Sequence, residues 1–334
     1  MESKVEGTKN PAKINFKLFL LVSTGVLILS GLIATIYIHT QLKKVIPVDI
    51  NRSPNSLGIS PLVLGHIDSL EDPPFNIALF GLDKRPGERF GNSDVIMILS
   101  ISKATKKIKL SSIMRDTYVD IDSIGKGKIN AAYKAGGPQL ALKAINKNFN
   151  LAIPDFVSVD FNGMANVIEA LDGVSLDVKK EEVNWINAYL DENNRNRKLK
   201  PPYVTKPGLQ LLNGKQAVAY TRIRYVGNDW ERTARQRTVL SLILHKLKNA
   251  GPTEYPAIVS KVLPYVETSL PQISLLSLGA DVFLSGINTV EERRFPAHNE
   301  SKGTFIDGTW YLLTDLPATS KSLSNYIYEG SKLK

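Results

Sequence analysis

The chain contains no cysteine, which excludes disulfides, thiolate nucleophiles and cysteine-ligated metals. Histidine is almost as scarce. His39, His66, His245 and His298 are the only four, and no two share a metal-ligand spacing, so a His-rich zinc site is not expected. Internal repeats and low-complexity tracts are absent as well. Acidic charge is in deficit: 32 Asp and Glu face 42 Lys and Arg, a formal charge of +10. That balance suits an anionic partner, whether phosphate, an acidic membrane surface or nucleic acid. No helix-turn-helix pattern supports the last of these, and nucleic acid is not expected as a partner.

What is present begins with "LFLLVSTGVLILSGLIATIYI", Leu18 to Ile38, which holds no charged residue. As a helix it reaches about 30 Å, enough to span a bilayer. The following "IYIHTQLKK" offers no small-residue cleavage site, so a retained anchor is expected rather than a signal peptide. Lys4, Lys9, Lys13 and Lys17 precede the segment, and Lys43 and Lys44 follow it. The positive-inside rule then puts residues 1–17 in the cytoplasm and everything after Thr40 outside, as in a single-pass bacterial cell-membrane protein. Residues 39–74, with "NRSPNSLGISP" and "EDPP", read as an extracytoplasmic linker with little regular structure. Residues 75–334 remain for the folded domain.

That domain opens with three strand-length apolar runs joined by short connections: "FNIALFGLD", "SDVIMILSIS" and "IKLSSIMRD". Short connections favour antiparallel neighbours. Asp83 at the end of the first, Asp94 at the start of the second, and Arg115 and Asp116 at the end of the third would then meet at one sheet edge. In "KINAAYKAGGPQLALKAINKNFN", Gly136 and Gly137 read as a loop into a helix with Pro138 at its first position. Further on, "FVSVDF" reads as a strand, "GMANVIEALDG" as a helix closed by Gly173, and "VSLDV" as a strand. Strands alternating with helices predict an α/β fold, a three-layer α/β/α domain with a mixed central sheet. "NWINAYLDENNRNRKLKPPYVTKPG" reads as a long polar surface excursion.

The segment "YTRIRYVGNDWERTARQR" holds five arginines. "QAVAYTRIRYV" alternates like a strand, which would put Arg222 and Arg224 on one face. "NDWERTARQRTVLSLILHKLKN" reads as a helix opened by an Asn228–Glu231 capping box. Stepping back by three and four from its apolar stripe, Val239, Leu240, Ile243, Leu244 and Leu247, lands on Gln236, Arg235 and Arg232. Those three therefore face inward, whereas Arg237 falls on a face expected to be solvated. An inward guanidinium is costly unless an anion meets it. Two arrangements satisfy this: a structural net with Asp83, Asp94, Asp116 or Asp229, or a cradle for a phosphate ligand. Acids gathered beside arginines favour the second, because they suit a divalent cation carrying a diphosphate.

These segments, in order, resemble the LytR–CpsA–Psr family of bacterial cell-envelope proteins. The resemblance rests on "GLDKR", "NSDVIMI", "SSIMRDTYV", "KINAAYKAGG", "ALDGVSLDV", "GLQLLNGKQAVAYTRIR" and "DWERTARQR", spanning roughly residues 75–250, and on the closing "TFIDGTWYLLTD". It implies a pocket for a polyprenyl chain with its pyrophosphate head at the mouth. It further implies transfer of an anionic glycopolymer, of teichoic acid or capsular polysaccharide type, from the polyprenyl-pyrophosphate carrier to peptidoglycan. Carried over by position, Asp83 and Asp94 are the acids at Mg²⁺, or Mn²⁺ in its place. Arg115, Arg222 and Arg224 match head-group arginines, and Asp229, Arg232, Arg235 and Gln236 match the second arginine motif. The family commonly has Arg-Ser-Asp where this chain has Asn92-Ser93-Asp94, so Arg85 or Arg89 is expected to replace one phosphate contact.

The resemblance thus makes Asp94, Arg115, Asp116, Arg222 and Arg224 the candidate catalytic set of a Mg-dependent phosphotransferase. Asp94 and Asp116 are alternative acceptors of the attacking hydroxyl's proton. Leu140, Ile145, Phe149, Val167, Ile168, Leu171, Val239, Ile243 and Leu247 are candidates to line the lipid pocket, an expectation that rests on the resemblance, since each alone reads as ordinary core. The competing functions are a polyprenyl-diphosphate pyrophosphatase using the same site and an envelope-linked transcriptional attenuator.

Overall fold

The computed structural model describes residues 46–334, apart from 86, 195–201, 228, 272–273, 275–276, 279–280, 283, 288 and 333, and Thr24 before them. The chain divides into two units, 1–44 and 45–334. The apolar segment 18–38 therefore lies outside the described residues, Thr24 excepted. Among the described residues, no helix is long and apolar enough to cross a membrane.

In chain order the elements begin with β1 (Ile46–Pro47) and α1 (Pro61–Asp68), which starts on the Ser60 side chain as N-cap. Then come β2 (Phe75–Asp83), β3 (Asn92–Ser102), β4 (Lys107–Ile113), β5 (Tyr118–Ile121), β6 (Gly125–Lys128) and α2 (Ala131–Phe149). They are followed by β7 (Phe156–Asp160), α3 (Phe161–Ala170), β8 (Val174–Val178), α4 (Lys180–Asn194), β9 (Gly208–Leu212) and α5 (Gly214–Arg222). The remainder is α6 (Asp229–Asn249), α7 (Gly251–Val262), β10 (Glu267–Thr268), β11 (Thr289–Phe295), β12 (Ser301–Ile306), β13 (Thr309–Thr314) and α8 (Leu316–Tyr328).

Seven strands form one mixed sheet in the order β1-β10-β7-β2-β3-β4-β11. The β2–β3 and β3–β4 pairs are antiparallel, as their short connections require, while β7 joins β2 and β11 joins β4 in parallel. The strand expected over "VSLDV" forms, but β8 pairs antiparallel with β9 in a separate two-stranded sheet.

Helices cover both faces. On one, Phe80, Ile96 and Ile98 pack with Tyr133, Ile145 and Phe149 of α2 and Leu323 and Ile327 of α8. On the other, Ile77, Leu99 and Leu110 pack beside Leu240 and Leu244 of α6. The stretch before β2, expected as a linker, joins the first of these cores: Leu57, Ile59 and Leu70 are buried in it, and Arg52 pairs with Asp155 at 2.8 Å.

Two glycines shape the rim of the sheet. α2 is interrupted at Gly136 and Gly137, so the expected Gly-Gly break exists, but helix flanks it on both sides. Gly137 has φ +65°, and a Cβ there would lie 2.6 Å from the Phe90 ring. That ring, seated edge-on against Tyr133 at 6.0 Å, pins the β2–β3 loop to α2. Gly91 permits the loop's neck to close, because a Cβ would come within 2.3 Å of the Asp83 carbonyl.

Candidate diphosphate and lipid site

The β2–β3 pairing sets the first charged residue. Gly81 faces Val95 and Leu82 faces Ser93, so Asp94 is the extra residue of a β-bulge. A bulge re-aims a side chain at a sheet edge. Here the Asp94 carboxylate, 6% exposed, receives hydrogen bonds from three arginines of three different segments. Arg115 Nη1 donates to Oδ1 at 2.8 Å, Arg232 Nη2 to Oδ2 at 2.9 Å, and Arg224 Nη2 to Oδ2 at 3.5 Å. Burial, the largest single influence, opposes the charge of Asp94. Arg115, Arg232 and Arg224 together outweigh it and hold the carboxyl below the ordinary aspartate range.

Arg222 and Arg224 arrive by a different route from the one the alternation predicts. Residues 214–222 are helical, not extended. The sequence carried the signal: Asn213 and Gln216 form a capping box at the start of α5, each side chain bonded to the other's backbone N–H. Ile223 ends the helix with an extended backbone and is fully buried, so Arg222 and Arg224 still project to the same side.

A polar cavity of about 540 Å³ opens at this edge, lined by Asp83, Arg85, Asp94, Arg222, Arg224, Arg232 and Gln236. Of the two arginines expected to stand in for the family's residue at Asn92, Arg85 lines the cavity. Arg89 lies over the Phe90 ring at 5.0 Å instead. α4 supplies the opposite wall with Trp185, Ala188, Tyr189 and Glu192, and α3 adds Phe161. The excursion expected here is thus a helix over its first part, with residues 195–201 outside the described residues. Spacings of three, four and seven put those four side chains on one helical face, a signal present in the sequence but masked by the polar stretch after it.

Other expected site residues stand apart from this cavity. Asp116 is buried against Arg115 Nε at 3.3 Å and Lys128 Nζ at 2.7 Å. Arg115 lines a small crevice behind Asp94 rather than the main chamber. Arg235, expected at the pyrophosphate, donates from Nε to Glu182 at 2.8 Å and from Nη2 to the Val226 carbonyl at 2.8 Å. It faces inward as the stripe predicts, but an internal carboxylate meets it. Arg237, expected to be solvated, is only 14% exposed and meets Glu292 of β11 at 3.3 Å. β11 covers that face of α6, which α6's own periodicity does not reveal. Asn228 and the side chain of Asp229 lie outside the described residues.

An apolar cavity of about 170 Å³ shares Phe161, Thr221 and Gln236 with the polar one. Val167, Val239 and Ile243, expected as lining, do line it. Leu79, Val95, Met97, Val157, Val159 and Met164 are among its other lining residues and were not anticipated. Ile145 and Phe149, by contrast, are buried in the core on the opposite face of the sheet, and Leu140 packs at the edge of that core. Leu171 is buried and Leu247 half-buried, and neither lines the cavity. Amphipathic helices bury one stripe, but the stripe does not say which face of a sheet receives it.

The LytR_cpsA_psr family model matches residues 35–326. The chain belongs to the LytR–CpsA–Psr family. Among its relatives is the polyisoprenyl-teichoic acid–peptidoglycan teichoic acid transferase TagU of Oceanobacillus iheyensis, 30% identical over 307 residues that span 89% of this chain and 86% of that one. Regulatory protein MsrR of Staphylococcus aureus is 30% identical over 244 residues, 71% of this chain and 70% of its own. The fold is shared with Bacillus subtilis YwtF (TagT), a LytR-CPS2A-psr family protein solved with bound octaprenyl pyrophosphate lipid. Its TM-score is 0.58 at 22% identity, covering 79% of this chain and 92% of that one.

The donor chemistry of the LytR–CpsA–Psr site bears on a metal. Asp83 and Asp94 line the same cavity, and among the described residues no group of three or more His, Cys, Asp or Glu is poised to hold an ion. With Glu192 on the opposite wall, these carboxylates make no dedicated protein cage, but Asp83 and Asp94 fit Mg²⁺ that brings phosphate oxygens and water as its other ligands.

Proposed function

We propose that this chain is a membrane-anchored phosphotransferase that moves an anionic glycopolymer from a polyprenyl-pyrophosphate carrier to peptidoglycan. The single observation that carries the reading is the pair of adjoining cavities, one walled by arginines and acids, the other by apolar side chains, with Phe161, Thr221 and Gln236 common to both. An amphiphile with a diphosphate head and a hydrocarbon tail matches that division. The names of TagU and of lipid-bound YwtF support the same ligand class. The apolar run 18–38 would hold the domain outside the membrane where such carriers lie.

Arg222, Arg224, Arg232 and Arg85 bind the diphosphate and stabilise charge that develops on it, since phosphoryl transfer needs positioning and electrostatics above all. Arg115 holds Asp94 from behind. Asp83 and Asp94 would hold Mg²⁺, which neutralises phosphate oxygens when bound. Val159, Val167, Val239 and Ile243 exclude water around the tail. Gln236 and Thr221, at the junction, orient the head between the two environments.

The test is incubation of the full chain with a lipid-linked glycopolymer, Mg²⁺ and peptidoglycan fragments, followed by mass analysis. Glycopolymer joined through phosphate to a sugar hydroxyl is the expected product. Release to water alone would make the protein a pyrophosphatase, and no turnover at all would remove the enzymatic reading.

A further inference from the structure

Transfer requires a group that takes the proton of the attacking hydroxyl, and both carboxylates expected for that task are engaged elsewhere. Asp94 accepts from three guanidinium groups, and Asp116 lies between Arg115 and Lys128, outside the cavity lining. A carboxylate ringed by cationic groups is a weak proton acceptor for an incoming hydroxyl, although a lone pair of Asp94 remains for a metal ion.

Glu192 is placed differently. It lies near the end of α4, lines the polar cavity, and its side chain is 50% exposed. Its Oε2 is 3.6 Å from Arg222 Nη2, beyond hydrogen-bond range yet beside a residue that binds the diphosphate. Arg222 itself is held between two rings, Phe161 at 5.1 Å and Tyr189 at 4.9 Å, so the spacing between base and phosphate site is set by packing. None of the α4 wall residues lines the apolar cavity, which leaves that wall for the sugar end of the reaction. Trp185 of the same wall stacks on Tyr225 at 4.5 Å with a 25° tilt, a broad amphipathic surface suited to a sugar ring.

We propose that Glu192 is the catalytic base of this site; the assignment rests on the transfer reading given above. Glu192 takes the hydroxyl proton as the oxygen bonds to the sugar-bearing phosphorus. The bond from that phosphorus to the bridging oxygen breaks, its electron pair leaves with polyprenyl phosphate, and Glu192 passes the proton to water. The charged and titratable groups facing it across the cavity are Asp83 and Arg85 from β2 and its loop, Asp94 from β3, Arg222, Arg224 and Tyr225 from α5 and the turn after it, and Arg232 from α6. Tyr189 lies on its own helix.

The experiment uses the full chain reconstituted in lipid vesicles with a lipid-linked teichoic acid precursor, MgCl₂ and a peptidoglycan oligomer. Wild type, Glu192→Gln and Asp116→Asn are compared. Glu192→Gln is expected to lower kcat about 10²-fold or more, to leave donor-lipid affinity unchanged and to abolish the acidic limb of the pH–rate profile. Its exposed position leaves the thermal midpoint in place. Near-normal kcat with the acidic limb intact, in a preparation whose wild type transfers, overturns the role of Glu192 alone. So does loss of that limb in Asp116→Asn but not in Glu192→Gln. A wild type that transfers nothing overturns the transfer reading and this assignment with it.

Discussion

The carboxylate of Asp94 and the guanidinium of Arg232 meet at 2.9 Å although 138 positions separate them, and both are almost fully buried. That pair ties β3 to the first turns of α6 and closes the floor of the polar cavity. Removing one partner of such a pair leaves an uncompensated buried charge, which costs more than the pair contributes.

Asp94→Asn is therefore expected to lower stability at neutral pH by about 3 kcal/mol or more, read by urea unfolding. The pH dependence has a definite sign. The folded-state pKa of Asp94 is depressed, so its contribution is present above its unfolded value, about 3.9, and is lost as pH falls through the lower folded value. Below roughly pH 4 the wild type should lose stability more steeply than Asp94→Asn. Parallel curves in that window would remove the arginine ring as the cause.

Arg222→Ala and Arg224→Ala are expected to lower transfer about 10²-fold or more each. Neither should unfold the domain: Arg224 is 53% exposed, and Arg222 lies in the cavity wall, where its ion pair with Glu192 spans 3.6 Å. Steady-state transfer and a thermal melt on the same samples separate the two effects. Wild-type turnover in both variants would refute the head-group role.

Arg235 should behave in the opposite way. It braces Glu182 and the carbonyls of residues 223 and 226, so Arg235→Ala is expected to cost about 3–5 kcal/mol of stability by stranding Glu182. Adding Glu182→Gln to it should recover part of that loss in a double-mutant cycle. A stable Arg235→Ala protein with weakened diphosphate binding would instead place Arg235 in the site.

The apolar cavity gives the fourth expectation. Val239→Phe fills space in the cavity that Met164 and Ile243 also line, and none of the arginines of the polar cavity lines it. Polyprenyl lipid should no longer bind, by extraction of purified protein after reconstitution, while the thermal midpoint holds or rises. Unchanged lipid binding would show that the tail lies elsewhere.

Much of this architecture was legible in the chain. Short connections dictated the antiparallel β2–β3–β4 unit and with it the approach of Asp83, Asp94 and Arg115, because consecutive strands must run past one another at the same edge. The inward stripe of α6 was legible too, and Arg232 and Gln236 sit in the site as that stripe requires. The helix over 214–222 was missed because Tyr220–Val226 alternates, and the Asn213–Gln216 capping box outweighs that alternation locally. The wall formed by Trp185, Tyr189 and Glu192 was missed because polar composition resembled a loop.

The amino-acid order by itself determined the local matters: where strands and most helices begin, which side of each is apolar, and that surplus positive charge gathers around Tyr220–Arg237. Only the tertiary structure decided which face of the sheet each helix covers, and so why Phe149 is ordinary core while Val239 borders a cavity. It also decided which arginines are braced away from the polar cavity, as Arg235 is by Glu182, and which line that cavity. Periodicity is a property of one segment, whereas the partner of a buried charge comes from another segment, brought there by packing the sequence pattern does not encode.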